Sequence, residues 1–289
     1  MTPLEPTPGY RIVRLASGAH SVHSLAHHET FHPVIGPTAE AEALYVSQLG
    51  LVERIRARAG EFVIWDVGLG AAANPITVLR SAREVPGVCR VISFDHTLDP
   101  LRFALQHPDH LPYLAGWEPV LDNLLRDGRA SFRHGSLEVV WEAHVADFPT
   151  LIARPEAAAL PKPHTILFDA FSPAKNPAMW TLPLFTGLGA LLDPQRPCAM
   201  PTYSRSTMLR VTLLLAGFYV GAGHATGQKE ETTIAANSPS LLTAPLPRSW
   251  LDRARRSSSA EPMHEPVYRQ APLSEESWAR LAAHPQFAA

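Results

Sequence analysis

Four apolar runs in this 289-residue chain each lead to an aspartate. Glu61 to Val67 (EFVIWDV) carries Asp66 and runs straight into Gly68-Leu69-Gly70. Cys89 to Asp95 (CRVISFD), the stretch 137–147 (LEVVWEAHVAD) and His164 to Asp169 (HTILFD) end on Asp95, Asp147 and Asp169. Short continuous apolar runs of this kind read as buried strands. Helical patterns lie between and after them, at 75–84, 98–107, 117–127, 181–193 and 205–216. Further strands are expected at Cys198 to Tyr203, from Gly217-Phe218 onward and at 232–236. Strands alternating with helices predict an α/β fold around a mostly parallel sheet. In such sheets a ligand sits beyond the carboxyl ends of the strands, where these four acids fall.

The flanks read differently. Residues 1–10 form a loose Pro-containing tail, and 11–24 alternate as a short hairpin does. Residues 38–58 fit one helix, with Glu40 and Glu42 early and Arg54, Arg56 and Arg58 late, as the helix dipole prefers. Three parts are expected: an extension over 1–60, a ligand-binding domain over 61–237, and an extension over 238–289 rich in Pro, Ser and Arg. Lys plus Arg number 25 against 27 Asp plus Glu, a net charge of -2, so a protein-wide basic field for nucleic acid is missing. Cys89 and Cys198 are too few for a disulfide framework or a four-cysteine zinc site. No apolar run nears the roughly 18 residues of a membrane span, and the first residues lack a signal-peptide pattern. A cytoplasmic location without membrane attachment is expected.

Asp66 to Asn74 (DVGLGAAAN) is the strongest local signal. Its glycines permit a tight turn and close approach of backbone to ligand. Asp95, at the end of the next strand, suits two ribose hydroxyls, or is simply an exposed strand end. The third glycine of a dinucleotide fingerprint is missing. A ligand without a pyrophosphate, such as S-adenosylmethionine, therefore fits better than NAD. Asp147 reads either as a helix N-cap or as the acceptor for an adenine amino group. Asp169 to Trp180 (DAFSPAKNPAMW) is either a rigid turn with an aromatic anchor or a substrate loop with Asp169 at the reacting centre. His28-Glu29-Thr30-Phe31-His32 matches the helical H-E-x-x-H zinc signature, but Pro33 and weak helix formers argue against a helix, so no metal is expected. Arg253 to Ser259 is a short basic stretch, either a solvated face or a phosphate contact.

Together these residues resemble the methyltransferase domain of the MnmC-like tRNA 5-methylaminomethyl-2-thiouridine biosynthesis proteins. The resemblance rests on Asp66–Gly70 with Asn74, on Ile92–Asp95, and on Asp169–Pro177 with Met179-Trp180. Thr202-Tyr203-Ser204, Ala216-Gly217-Phe218, Gly227-Gln228-Lys229-Glu230, Gly36-Pro37 and Glu42 to Tyr45-Val46 extend it over most of 22–237. It implies a Rossmann-like class I methyltransferase with a mostly parallel, seven-stranded sheet and extensions at both ends. It also implies S-adenosylmethionine as cofactor and the aminomethyl nitrogen of a wobble uridine in tRNA as acceptor.

Carried onto this chain, the resemblance sets Asp66, Gly68, Gly70 and Asn74 around the methionine part of the cofactor. Asp95 would hold the ribose, Asp147 the adenine, and Asp169 the amine. Glu42, Phe171, Lys175 and Trp180 would face the substrate. Ala72 replaces the family's third glycine. No segment here corresponds to the flavin-dependent oxidase of bifunctional members, so no flavin is expected. Two other readings are a class I methyltransferase acting on a small metabolite or protein, and a module that only binds the nucleoside.

Overall fold

A computed structural model describes residues 7, 9–226 and 230–288. Residues 227–229 of the Gly-Gln-Lys-Glu match and most of the N-terminal tail lie outside the described residues. The chain divides into two compact units. The first comprises Met1–Asp147, Leu167–Asp169 and Ala225–Glu230; the second comprises Phe148–Ile166, Ala170–His224 and Glu231–Ala289.

The strands are β1 (Tyr10–Arg14), β2 (His20–Ser24), β3 (Glu29–Thr30), β4 (Glu61–Val67), β5 (Gly87–Asp95), β6 (Arg129–His134), β7 (Leu137–Val145), β8 (Thr165–Phe168), β9 (Ala199–Thr202), β10 (Tyr219–Gly223) and β11 (Thr232–Ala236). β1, β2 and β3 form a small antiparallel sheet, which extends the expected 11–24 hairpin by one short strand. The main sheet has eight strands, in the order β10-β11-β9-β8-β4-β5-β7-β6, not the expected seven. The additional strand is β6, an edge strand antiparallel to β7. Its sequence RASFRH is half-exposed and charged, so no apolar run marks it. Such charge suits an edge, where it discourages pairing with another chain.

In the first unit β4, β5 and β7 run parallel, with Asp66 beside Ser93 and Asp95 beside Val145. All seven residues of β4 but the first are buried, as a strand covered on both faces requires. Trp65 packs edge-on against Phe94 at 5.4 Å between ring centres. Helices Ala73–Ser81, Asp99–Leu105 and Glu118–Asp127 follow the expected pattern with ends shifted by one to three residues. The single helix expected over 38–58 is instead broken. Helix Pro37–Ala41 passes into a π-type turn over Glu42–Ser47, and Gly50 (φ 54°) separates it from helix Leu51–Arg56. The wider turn buries the consecutive residues Leu44, Tyr45 and Val46, which a regular helical stripe would not do.

In the second unit β9 and β8 are parallel, whereas β10 and β11 pair antiparallel, and β11 also pairs antiparallel with β9. Helices Leu182–Leu191 and Thr207–Leu215 supply apolar faces, including the fully buried Leu188, Val211 and Leu213. Arg210 is buried there because Glu231, Thr233 Oγ1 and the Thr232 carbonyl accept its hydrogen bonds. Residues 238–289 contain helices Trp250–Arg256 and Glu275–Ala282 and belong to this unit.

The β6–β7 turn depends on Gly135. Its φ is 61°, and an added Cβ would stand 2.5 Å from the Arg83 carbonyl oxygen. Gly128, at φ 67°, has only an ordinary 3.6 Å neighbour. Gly135→Ala should lower stability in urea unfolding by about 1–3 kcal/mol more than Gly128→Ala, because it adds a backbone clash to the same left-handed strain.

Candidate active site

The site residues of the first unit gather where β4, β5 and β8 end. The Gly68 N–H donates to the Phe94 carbonyl at 2.9 Å, and the Asp169 N–H donates to the Val67 carbonyl at 3.0 Å. These bonds hold the three strand ends level. The chain then turns through Gly68 (φ 96°), Gly70 (φ 52°) and Ala72 (φ 62°) into helix Ala73–Ser81. Ala72 has a side chain in a left-handed conformation, at a cost of about 1–2 kcal/mol. It is fully buried. A Cβ on Gly70 would come within 3.1 Å of the Phe31 ring, so glycine is needed there for space as well as for conformation.

Asp66 is wholly buried. Trp141 Nε1–H donates to Ser93 Oγ at 2.9 Å, and Ser93 Oγ–H donates to Asp66 Oδ2 at 2.6 Å. Burial, with repulsion from Asp169 and Asp95, overcomes that hydrogen bond and pushes its carboxyl up to about 7. Asp66 Oδ1 has no hydrogen-bond partner among the described residues, and neither has Asn74 Oδ1. Asp95 is fixed by the Gly70 N–H at Oδ2, 2.9 Å, and lies 3.1 Å from His96 Nδ1 at Oδ1. Its hydrogen bond to Asp95 and the surrounding carboxylates raise the His96 pKa.

Asp169 directly follows β8. Asn74 Nδ2–H donates to its Oδ2 at 2.8 Å, and His32 Nε2 is 3.5 Å from the same oxygen. Tyr45 O–H donates to the Phe168 carbonyl at 3.3 Å, so the π-type turn braces the backbone beside Asp169. Sequence reasoning missed this use of Tyr45 and His32. Within the H-E-x-x-H segment Glu29–Thr30 form a short strand, and His28 (φ 51°) and His32 (φ 48°) are in left-handed conformations. The helical geometry of the metal signature is therefore not formed.

Glu42 and Asp147 are the remaining expected site residues of this unit. Glu42 accepts hydrogen bonds from Ser81 Oγ–H at 3.0 Å and Ser47 Oγ–H at 3.4 Å. Asp147 is exposed, two residues beyond β7, and the preceding Ala146 N–H donates to the Asp95 carbonyl at 2.8 Å. In the second unit, the 170–176 loop is braced at its start. Tyr203 O–H donates to the Ala170 carbonyl at 3.0 Å, and Trp180 Nε1–H donates to the Phe171 carbonyl at 2.7 Å. Trp180 is buried against Tyr203, Phe171 is half-buried and Lys175 is exposed.

Chemically, the first-unit cluster offers three carboxyl groups and an amide oxygen, with His96 beside Asp95 and His32 beside Asp169, and leaves buried oxygens of Asp66 and Asn74 without a partner. It suits a ligand that brings positive charge and hydrogen-bond donors.

Residues 136–238 match a family model of S-adenosyl-L-methionine-dependent methyltransferases. The chain is similar to the tRNA 5-methylaminomethyl-2-thiouridine biosynthesis bifunctional protein MnmC of Methylibium petroleiphilum, with 28% identity over 236 residues, covering 77% of this chain and 34% of the relative. The same protein of Ectopseudomonas mendocina is 29% identical over 239 residues, covering 76% and 34%. The chain thus spans about a third of the length of these relatives. Among solved structures it is similar to MNMC2 from Aquifex aeolicus (TM-score 0.69, 24% identity, 96% of this chain and 85% of that one). It is also similar to a spermidine synthase in complex with the transition-state analogue AdoDATO (TM-score 0.51, 12% identity, 96% and 82%). At these identities the structural likeness shows the fold. The match over 136–238 and the likeness to the MnmC proteins support an S-adenosylmethionine-dependent methyltransferase similar to part of those proteins.

Because Asp66 titrates near 3.8 when unfolded and about 7 when folded, the unfolded chain binds fewer protons between these values. Stability of the ligand-free protein should fall as pH rises from about 4 to 7, then level off. Asp66→Asn should remove that fall. Thermal unfolding should show the variant gaining over wild type at neutral pH, by on the order of a few kcal/mol, and losing that advantage below about pH 4.

Proposed function

We propose that this S-adenosylmethionine-dependent methyltransferase methylates the aminomethyl nitrogen of a modified wobble uridine in tRNA. The observation that carries the reading is the Asn74–Asp169 hydrogen bond. It locks the carboxylate at the end of β8 to the helix that leaves the glycine turn. The acceptor class comes from the MnmC relatives, which are named as bifunctional proteins of tRNA 5-methylaminomethyl-2-thiouridine biosynthesis.

The residues present fit the cofactor. Its methionine end carries an ammonium, for which Asp66 Oδ1 and Asn74 Oδ1 are the unpartnered buried acceptors. Asp95, oriented by the Gly70 amide, faces the ribose hydroxyls in this reading, and the exposed Asp147 accepts from the adenine amino group. The positive φ of Gly68 and Gly70 lets the backbone pass close to the ligand. When bound, the cofactor supplies an electrophilic methyl group on a sulfonium.

The rest is positioning. The attacking nitrogen must present its lone pair, so it has to be uncharged. Asp169 keeps Oδ2 on Asn74 and offers Oδ1 to the amine, orienting it and holding its proton. Phe171 presents a half-buried ring for the base, and exposed Lys175 meets a phosphate. Trp180 contributes by fixing the loop backbone at Phe171.

Calorimetry should show S-adenosylhomocysteine binding lost in Gly68→Val and weakened at least tenfold in Asp95→Ala; undiminished binding in both would remove this site. Asp169→Asn should slow single-turnover methyl transfer to undermethylated tRNA by roughly 10²–10⁴-fold and leave cofactor affinity nearly unchanged. Near-normal turnover would take Asp169 out of the reacting centre. Labelling of a small amine but never of tRNA would reassign the acceptor. Nucleosides of tRNA from a deletion strain should accumulate the unmethylated aminomethyl uridine.

A further inference from the structure

We infer that His32 is a positioning residue for Asp169, donating from Nε2 to the same carboxylate oxygen that Asn74 holds. The inference rests on the reading of Asp169 above and adds a residue to it.

The placement is specific. His32 Nε2 lies 3.5 Å from Asp169 Oδ2, and the His32 side chain is only 8% exposed. A buried imidazole this close to a carboxylate has its proton direction set by that neighbour. Nδ1 is also buried and has no partner among the described residues. The Asp169 contact is thus the ring's polar anchor, and it favours a proton on Nε2. Asn74 donates to that oxygen at 2.8 Å, so with the proton on His32 Nε2 two donors share Oδ2 and Oδ1 is left for the acceptor.

The backbone is shaped for this contact. His32 holds φ 48°, a conformation costly for a residue with a β-carbon. The segment before it is pinned to β2. Ser21 O–H donates to the Phe31 carbonyl, the Phe31 N–H donates to the Val22 carbonyl at 2.9 Å, and His23 Nδ1 is 2.8 Å from Thr30 Oγ1. The small β1–β2–β3 sheet therefore carries a strained histidine to the end of β8. Phe31, its neighbour, packs where a Gly70 side chain would stand. Both contacts tie the N-terminal sheet to the turn and to Asp169.

Two measurements test this. In the ligand-free protein, long-range ¹⁵N–¹H spectra should show His32 protonated on Nε2, and Asp169→Asn should move the Nε2 resonance. A neutral ring protonated on Nδ1, or a resonance indifferent to Asp169→Asn, overturns the inference. Kinetically, His32→Ala should slow single-turnover transfer roughly 10–100-fold, the scale of a small displacement of the reacting group. Its cofactor affinity should stay within about threefold of wild type. His32→Gln, whose amide nitrogen reaches the place of Nε2, should recover most of the rate. His28→Ala, at the neighbouring left-handed position, should behave as wild type. A Gln variant as slow as a folded Ala variant, or an Ala variant at full rate, also overturns it. If His32→Ala fails to fold, the spectra and the Gln variant decide. If wild type never labels tRNA, the acceptor assignment fails, while the spectra still decide the role of His32.

Discussion

The level alignment of the strand ends carries the rest of the site. Gly68 N–H to the Phe94 carbonyl and Asp169 N–H to the Val67 carbonyl extend the parallel ladders by one residue on either side of β4. Without these bonds the acids of β4, β5 and β8 would still follow apolar runs, but at different heights. With them, Asp66, Asp95 and Asp169 lie close enough for the fields of the last two to raise the first. The glycine turn is the consequence of the same constraint. The chain must leave β4 at Val67 and start a helix by Ala73, and it does so through left-handed residues at 68, 70 and 72.

That alignment has an energetic cost. Asp66 sits fully buried, supported on one oxygen by the Trp141–Ser93 chain and unsupported on the other. A buried acceptor without a donor is destabilising by roughly 1–3 kcal/mol, and a buried charge by more. Native proteins keep such groups mainly where a ligand completes them. The same holds for Asn74, which spends its amide nitrogen on Asp169 and leaves its oxygen unpaired. A cation with hydrogen-bond donors would satisfy both atoms and ease the repulsion among the three acids. Stability given up in the ligand-free protein is in this way returned on binding.

The buried strands were legible because burial on both faces writes itself as an apolar run. β4, β5, β7, β8, β9 and β11 fall within one or two residues of where those runs predict them. β6 was not legible, because an edge strand with exposed arginines carries no such run. The break in the 38–58 helix was hidden for another reason. Its apolar positions fit a 3.6 period nearly as well as they fit a π-type turn, and Gly50 alone is an ambiguous signal. In the site, the acids and glycines could be read from their place at strand ends. His32 could not, because its contact with Asp169 joins residues 137 positions apart and its motif mimics a metal helix. Trp180 was legible as part of the loop but not as its buried brace, since burial depends on Tyr203 across the fold of that unit.

Aligned acidic strand ends suit a cationic nucleoside cofactor. A crystal structure with S-adenosylhomocysteine tests it most directly. It should show the ribose hydroxyls on Asp95, the amino group within hydrogen-bond distance of Asp66 or Asn74, and the sulfur facing Asp169. Nucleoside bound away from Asp95, or an amino group that leaves the buried oxygens of Asp66 and Asn74 unpaired, would contradict it.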